Sequence, residues 1–402
     1  MKQKQPILGK TGTLFFLVII SAFPPLTMDL YLPALPKMVD VLNTNQTMVN
    51  LTLSSYLVAY AICLLFWGPL SDKFGRKPIL LTGTSIYIIA SLCCAFSGNV
   101  ESLILSRILQ AFGGSAVTVV ATAIVKDLFD GREREKIMAI IMSLVIVAPM
   151  IAPVLGAFLL ELYSWHMMFF ALAIYGIISG LLTLCYKETL VSRYAGSMIH
   201  SLGRLGVVLK NPQLVFLLSV FSIVPMALMA FLASGSYIYI NDFGLTEQQF
   251  SYAFAFNAFC ALFGPTIYIQ LSKRVSVQKI ISLCFILLIT CGLLTYNIGC
   301  LSPWFFALIA APATLCVIVM RIPATNLMLE QQDADTGSVV AIIQFTGMIL
   351  GALGMTLVSL RPEYLIENLA MIQFSIGVIG GSLWLIAKNK PYVLEKLVKM
   401  TD

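Results

Sequence analysis

Gly68-Pro69-Leu70-Ser71-Asp72-Lys73-Phe74-Gly75-Arg76-Lys77-Pro78 joins two long apolar runs, 46–70 and 77–97. Gly75 permits a backbone with φ > 0, and Pro78 suits the first turn of a helix, so the stretch reads as a tight turn between two helices. Its charges can close on one another as a clasp. The pattern around it repeats along the chain. Spanning a bilayer takes about 20 apolar residues. Twelve such runs are present, at about 13–35, 46–70, 77–97, 101–126, 134–160, 165–186, 213–238, 247–271, 277–298, 303–329, 336–360 and 364–387. The fold class that follows is an all-α polytopic membrane protein.

Composition agrees. The 402 residues are 59% hydrophobic and 11% charged, where a soluble domain has about 25% charged residues. Of the 25 lysines and arginines, only Lys37 and Arg361 fall in alternate loops that face outward, and Arg107 and Arg321 fall within runs. The rest gather in the other loops and at the termini. By the positive-inside rule both termini are cytoplasmic. The net charge of +6 then reads as topology and contact with anionic lipid, not nucleic-acid binding. Three lysines precede the first run, but no small-x-small cleavage site follows it, so a retained first helix is expected rather than a signal peptide. The longest break, 187–212, divides the chain into a six-helix bundle at 1–186, a cytoplasmic linker, and a second bundle at 213–402. Two such halves match the parallel-repeat architecture of transporters whose substrate site lies between them near the midplane.

The first run carries Thr27-Met28-Asp29-Leu30-Tyr31-Leu32-Pro33. Asp29 lies roughly 9 Å inside its outer end at the rise of an α-helix. An ionised carboxylate there costs about 2.5–3.5 kcal/mol unless it meets water, a partner or a proton. Pro24, Pro25 and Pro33 predict a kinked, partly unwound segment around it. Asp29 is either a helix-end carboxylate snorkelling outward or a protonation site in a central cavity. Arg107, in the fourth run, sits at similar depth and cannot be neutralised, so it must find acceptors or snorkel to the outer headgroups. Gln110 shares its face, and Gly113-Gly114 allow another backbone close. In the fifth run Ala148, Ala152 and Gly156 form a stripe of small residues suited to tight helix packing, interleaved with Pro149 and Pro153.

These stretches resemble known families. The Gly68–Pro78 loop is similar, almost throughout, to the signature loop of the major facilitator superfamily, whose fold is twelve transmembrane helices in two six-helix bundles. That resemblance implies that Asp72 faces the start of helix eleven, here Thr336-Gly337-Ser338. It also implies that Arg76 pairs with an acid ending helix four, here Asp127. Arg107 with Gln110 resembles the superfamily's helix-four arginine motif, associated with proton coupling. The Ala148–Gly156 stretch looks like the antiporter motif of that superfamily, with two departures: Ala148 replaces a glycine, and Ala152-Pro153 a glycine pair. Taken together with Thr27–Pro36, these features resemble the bicyclomycin/chloramphenicol-resistance (Bcr/CflA) branch of drug:proton antiporters. Membership implies a multi-pass protein of the bacterial inner membrane that exports amphipathic drugs, or sometimes metabolites, against inward proton flow. By that resemblance Asp29 is the proton-accepting carboxylate.

The second half is less explicit. Leu271-Ser272-Lys273-Arg274-Val275 looks like a decayed copy of the signature loop without its acid. Arg321 either snorkels or makes a gate contact with Glu330 or Asp333. Ser234-Gly235-Ser236-Tyr237 offers hydroxyls and a flexible point. Asn257 and Gln344 read as interhelical amides or substrate contacts, and Tyr56 and Phe256 as aromatic walls. The substrate-binding candidates are therefore Asp29, Tyr31, Tyr56, Gln110, Tyr237, Phe256, Asn257 and Gln344. The clasp candidates are Gly68, Asp72, Gly75, Arg76 and Asp127. The nine cysteines form no CxxC and read as apolar packing, not disulfides or a metal site. The two histidines, His166 and His200, complete no hydrolytic constellation, and no phosphate loop is present. The expected protein is thus no enzyme. It needs no cofactor beyond a proton gradient, and its partners are a small-molecule substrate, protons and lipid, the chain acting as a monomer. The expected function is proton-coupled multidrug efflux by alternating access, with export of a metabolite or siderophore as the alternative. An uptake symporter, or a membrane receptor or enzyme, is the more distant reading.

Overall fold

The computed structural model describes residues 5–190, 203, 205–332 and 336–399; these are helical, with no strand among them. The chain separates into two compact units, Met1–Leu202 and Gly203–Asp402. Of the expected linker at 187–212, residues 191–202 and 204 lie outside the described residues.

The first unit holds α1 (Gly9–Ser21), α2 (Phe23–Asp29), α3 (Leu35–Val41), α4 (Gln46–Phe74), α5 (Arg76–Ala95), α6 (Val100–Leu128), α7 (Gly131–Leu162) and α8 (His166–Cys185). The second holds α9 (Pro212–Phe221), α10 (Pro225–Tyr237), α11 (Glu247–Leu262), α12 (Gly264–Ser272), α13 (Val277–Ile298), α14 (Pro303–Leu329), α15 (Thr336–Val358), α16 (Leu365–Ala387) and α17 (Pro391–Lys399). Among the described residues, ten helical segments are long and apolar enough to cross a membrane, and Gly9–Ser21 with Phe23–Val41, bent by 40°, makes an eleventh. The remaining expected run, 134–160, lies within α7, whose apolar described part is Val147–Leu162.

Helix starts follow local chemistry. Asn45 accepts a hydrogen bond from the Met48 amide, Asn99 from Ser102, and Asn211 from Gln213 and Leu214. Thr246 and Gln249 form a reciprocal capping box at α11. Each cap satisfies amides that no helical carbonyl reaches and is worth about 1 kcal/mol.

Three spans are interrupted. The first breaks at Ala22, because Pro24 and Pro25 occupy the first turn of α2 and cannot donate to the preceding turn. A 3₁₀ turn, Leu32–Ala34, then carries the chain into α3. The seventh expected run, 213–238, is also two helices. Its break falls at Ser222–Val224 before Pro225. The flexible point expected at Ser234–Tyr237 is therefore misplaced: those residues are buried helix, and a π turn, Ile238–Asp242, follows them. The eighth run breaks at Phe263, before Gly264-Pro265. In both cases proline decides the position and glycine or serine does not.

Candidate functional site

The break in the first span brings Asp29 to the end of α2, and the carboxylate is only 3% exposed. Its Oδ1 is buried and has no hydrogen-bond partner. The backbone beside it is pinned from α7. A Cβ at Gly156 would overlap the carbonyl oxygen of Leu30, so only glycine allows this approach. Ala148, Ala152, Pro153 and Gly156 are all buried, while Pro149 is partly so. The stripe expected to pack tightly against some helix thus packs against the broken segment carrying Asp29.

Arg107, on α6, is completely buried. Its Nη1 donates to Gln110 Oε1 at 2.5 Å and to the carbonyl of Thr27 at 3.3 Å, and Nη2 lies 3.9 Å from Met28 Sδ. Gln110 passes the network on through Nε2 to Ser91 Oγ at 2.8 Å, which donates to the Tyr87 carbonyl at 2.7 Å. The Tyr87 and Thr27 hydroxyls are 2.6 Å apart. The guanidinium carbon lies 4.3 Å from the ring centroid of Tyr56, 4.6 Å from Tyr31 and 5.9 Å from Phe169. Such distances place the cation on π faces in a dry setting, where each contact is worth up to about 2 kcal/mol. Tyr31 is fixed in turn by a 2.9 Å hydrogen bond to Thr52. The pairing of Asp29 with Arg107, which their depths suggest, is not formed. Arg107 has no carboxylate partner among the described residues, and its Nε is also unpartnered. Both side chains are buried, no hydrogen bond or ion pair joins them, and aromatic rings, an amide and the Thr27 carbonyl occupy the guanidinium.

The signature loop is a second built feature. Gly75 has φ of 108° and ends α4. Arg76 is 6% exposed; its Nε is 2.9 Å from Asp127 Oδ2, and its Nη1 is 2.6 Å from Asp72 Oδ1 and 2.7 Å from Ser71 Oγ. The Arg76–Asp127 pair forms as the resemblance implies. Asp72 turns back onto Arg76, and the side chain of Thr336 lies outside the described residues. Gly68 is half-buried in the helix leading to the loop. Glu188 escaped the sequence reading. Its carboxylate accepts the free amides of Arg76 at 3.1 Å and Lys77 at 2.9 Å, capping α5 from the far end of the unit. A Cβ at Gly75 would lie 2.7 Å from that carboxylate. The signal that could have found it is an acid just after a spanning run, opposite a helix N-terminus without its own cap.

The second-unit candidates do not assemble into a comparable cluster. Tyr237 and Asn257 are buried, whereas Phe256 and Gln344 are exposed. Asn257 Nδ2 has no partner. Arg321 is exposed and makes no side-chain hydrogen bond or ion pair among the described residues. Its contact with Glu330 does not form, since Glu330 faces Lys396 at 3.9 Å, and Asp333 lies outside the described residues.

The family model described as "Major Facilitator Superfamily" matches residues 15–355. The chain belongs to this superfamily. Among curated relatives of this facilitator, the uncharacterized MFS-type transporter YdgK of Bacillus subtilis is 30% identical over 376 residues, 91% of this chain and 93% of that one. The bicyclomycin resistance protein homolog of Haemophilus influenzae is 26% identical over 368 residues, 89% of this chain and 91% of that one. The multidrug resistance protein MdtL of Shigella flexneri is 34% identical over 166 residues, 41% of this chain and 42% of that one. These relatives bear out the resemblance to drug:proton antiporters of the Bcr/CflA type. Solved structures with the same fold include a bacterial homolog of the lysosomal transporter Spinster (TM-score 0.74, 14% identity, 96% of this chain and 97% of that one). The nucleoside transporter NupG is another (TM-score 0.75, 15% identity, 93% and 99%). The chain is a multi-pass membrane transporter.

Proposed function

We propose that this facilitator is a proton-coupled multidrug efflux antiporter of a bacterial inner membrane, with both termini cytoplasmic. It exports small amphipathic compounds by alternating access, and Asp29 carries the proton. The observation that carries the reading is a buried carboxylate with an unpartnered oxygen, on a helix whose Thr27 carbonyl accepts from a buried arginine that has no carboxylate partner among the described residues. Burial penalises the charged form of an acid, so a proton and a counter-charge compete for Asp29. When Asp29 is ionised it draws on Arg107 and on substrate; when a proton arrives from outside, that hold is released. The energy source is the proton gradient. One proton crossing 100 mV supplies about 2.3 kcal/mol, enough for a drug gradient of some tens-fold at about 1.4 kcal/mol per decade.

Reconstitution tests this. Proteoliposomes acid inside should release protons only when a transported drug is added outside, and they should accumulate the drug. Asp29→Asn should insert normally and lose both. Uphill transport by the Asn variant would move the proton role to another residue.

A second reading, export of a metabolite carrying an acidic group, is favoured by Arg321. It is an exposed residue within a spanning helix, with no side-chain hydrogen bond or ion pair among the described residues. Moreover, the exposed positions of α14 change from Trp304, Phe305 and Leu308 near one end to Arg321 and Asn326 near the other. Arg321→Gln should cut transport of anionic compounds about tenfold while sparing cations, the size of one lost charge-assisted contact. Equal loss for both charge classes would remove this reading.

A further inference from the structure

The cations at one end of the second unit have no acids of their own. Two turns of chain meet there. Gln278, in the first turn of α13, donates through Nε2 to the carbonyl of Lys388 at the end of α16, at 2.9 Å. One turn further along, Trp384 Nε1 donates to Ser282 Oγ at 3.1 Å, so the two helices run antiparallel and in register. These bonds join the turn carrying Lys273, Arg274 and Lys279 to the turn carrying Lys388 and Lys390. Lys388 is partly buried and the other four are exposed. None of the five makes a side-chain hydrogen bond or ion pair among the described residues. No acid occurs from residue 248 to 329 or from 368 to 394. Of the acids that follow, Glu330 faces Lys396 at 3.9 Å and Glu395 is exposed on α17. The corresponding loop of the first unit is neutralised from within. There Arg76 holds Asp72 and Asp127, and the Glu188 carboxylate accepts the Arg76 and Lys77 amides.

Beyond these cations both helices present apolar residues outward. On α13 the exposed positions run Lys279, Leu283, Ile286, Thr290 and Leu293, spaced by four and three, which is one face of a helix. On α16 the exposed Ile386, Ser382 and Ile379 lead away from Lys390 in the same manner. Leu283 and Ile286 are 53% and 59% exposed, and Ile379 and Ile386 55% and 57%. From Lys279 to Leu293 is about 21 Å at the helical rise, whereas one leaflet contributes about 15 Å of hydrocarbon. A cationic end thus sits on an apolar strip long enough for an acyl chain.

We propose that this end of α13 and α16 is a binding site for a phospholipid with an anionic headgroup. The headgroup phosphate lies among Lys279, Lys390 and the 273–274 turn, and the acyl chains lie along the exposed faces of the two helices. Charge complementarity selects this occupant. A zwitterionic lipid brings an ammonium that five unpaired cations repel, and a soluble anion leaves the apolar strip unused. Each lysine or arginine near an anionic lipid surface accounts for about a fivefold change in binding.

The test uses the full-length protein in detergent, titrated separately with phosphatidylglycerol and phosphatidylethanolamine, with bound lipid counted by native mass spectrometry. Wild type should retain phosphatidylglycerol at concentrations about tenfold below those needed for phosphatidylethanolamine. Lys279→Gln with Lys390→Gln should weaken phosphatidylglycerol binding about twentyfold and leave phosphatidylethanolamine binding unchanged. Both side chains are exposed and unbonded, so the packing of the unit is kept. Lys73→Gln with Lys126→Gln removes the same charge from exposed positions of the first unit and should leave phosphatidylglycerol binding within about twofold. Equal retention of the two lipids overturns the inference, as does an equal loss in the two double variants. Displacement of phosphatidylglycerol by millimolar inorganic phosphate overturns it too, since the site would then serve a soluble anion.

Discussion

Both units break the first of their spanning helices and press a glycine of a later helix onto the segment beyond, yet only one places a carboxylate there. In the first unit the break lies before Pro24-Pro25, and Gly156 of α7 meets the Leu30 carbonyl. In the second the break lies before Pro225, and a Cβ at Gly354 of α15 would lie 2.7 Å from the Met226 carbonyl. The backbone device is repeated; the chemistry is not. Asp29 and a caged Arg107 follow the first break, while Met226 and Met229 follow the second. Arg321, the arginine within a spanning run of the second unit, is exposed on a different helix. A broken helix thus recurs in each unit, and the side chain that follows the break is a buried acid in the first and methionine in the second.

The comparison can be broken in three places. The largest effect is expected from the acid. Asp29→Asn should abolish uphill transport, whereas Met229→Asn, the same amide in the second unit, should leave proton coupling intact in the same proteoliposome assay. Loss of coupling in both would mean that the break itself carries the function. Next comes the backbone. Gly156→Ala and Gly354→Ala should each destabilise by about 1–3 kcal/mol, because a methyl must displace backbone. Thermal unfolding in detergent measures this, and a neutral result at either glycine would end the parallel. The third comparison separates the loops, and its smallest effect lies in the second unit. Arg76→Ala should cost about 1.5–3 kcal/mol, since it strips charged hydrogen bonds from Asp127 and Asp72. Arg274→Ala, at an exposed position without side-chain contacts among the described residues, should stay within about 0.5 kcal/mol.

Much of this was legible in the chain. Apolar runs of bilayer length placed the helices of α13 and α14 to the residue, because a membrane imposes length and composition independently of neighbours. The prolines of Phe23–Asp29 announced the first break, and the signature loop announced Arg76 with Asp127. Glu188 was not legible, since its partners are amides more than a hundred residues away. Nor was the absence of an Asp29–Arg107 pair. Depth along a helix follows from counting residues, but azimuth and competing neighbours do not.

By itself, the sequence determined that this is a membrane transporter with an acid and an arginine buried at similar depth. Charge in an apolar run is expensive wherever the run ends up, so its position alone is informative. Only the tertiary structure decided what each charge touches. Three elements remote from α6 in sequence, α2, α4 and α8, converge on Arg107. Which of an amide, a ring or a carboxylate wins a guanidinium is settled by packing across them.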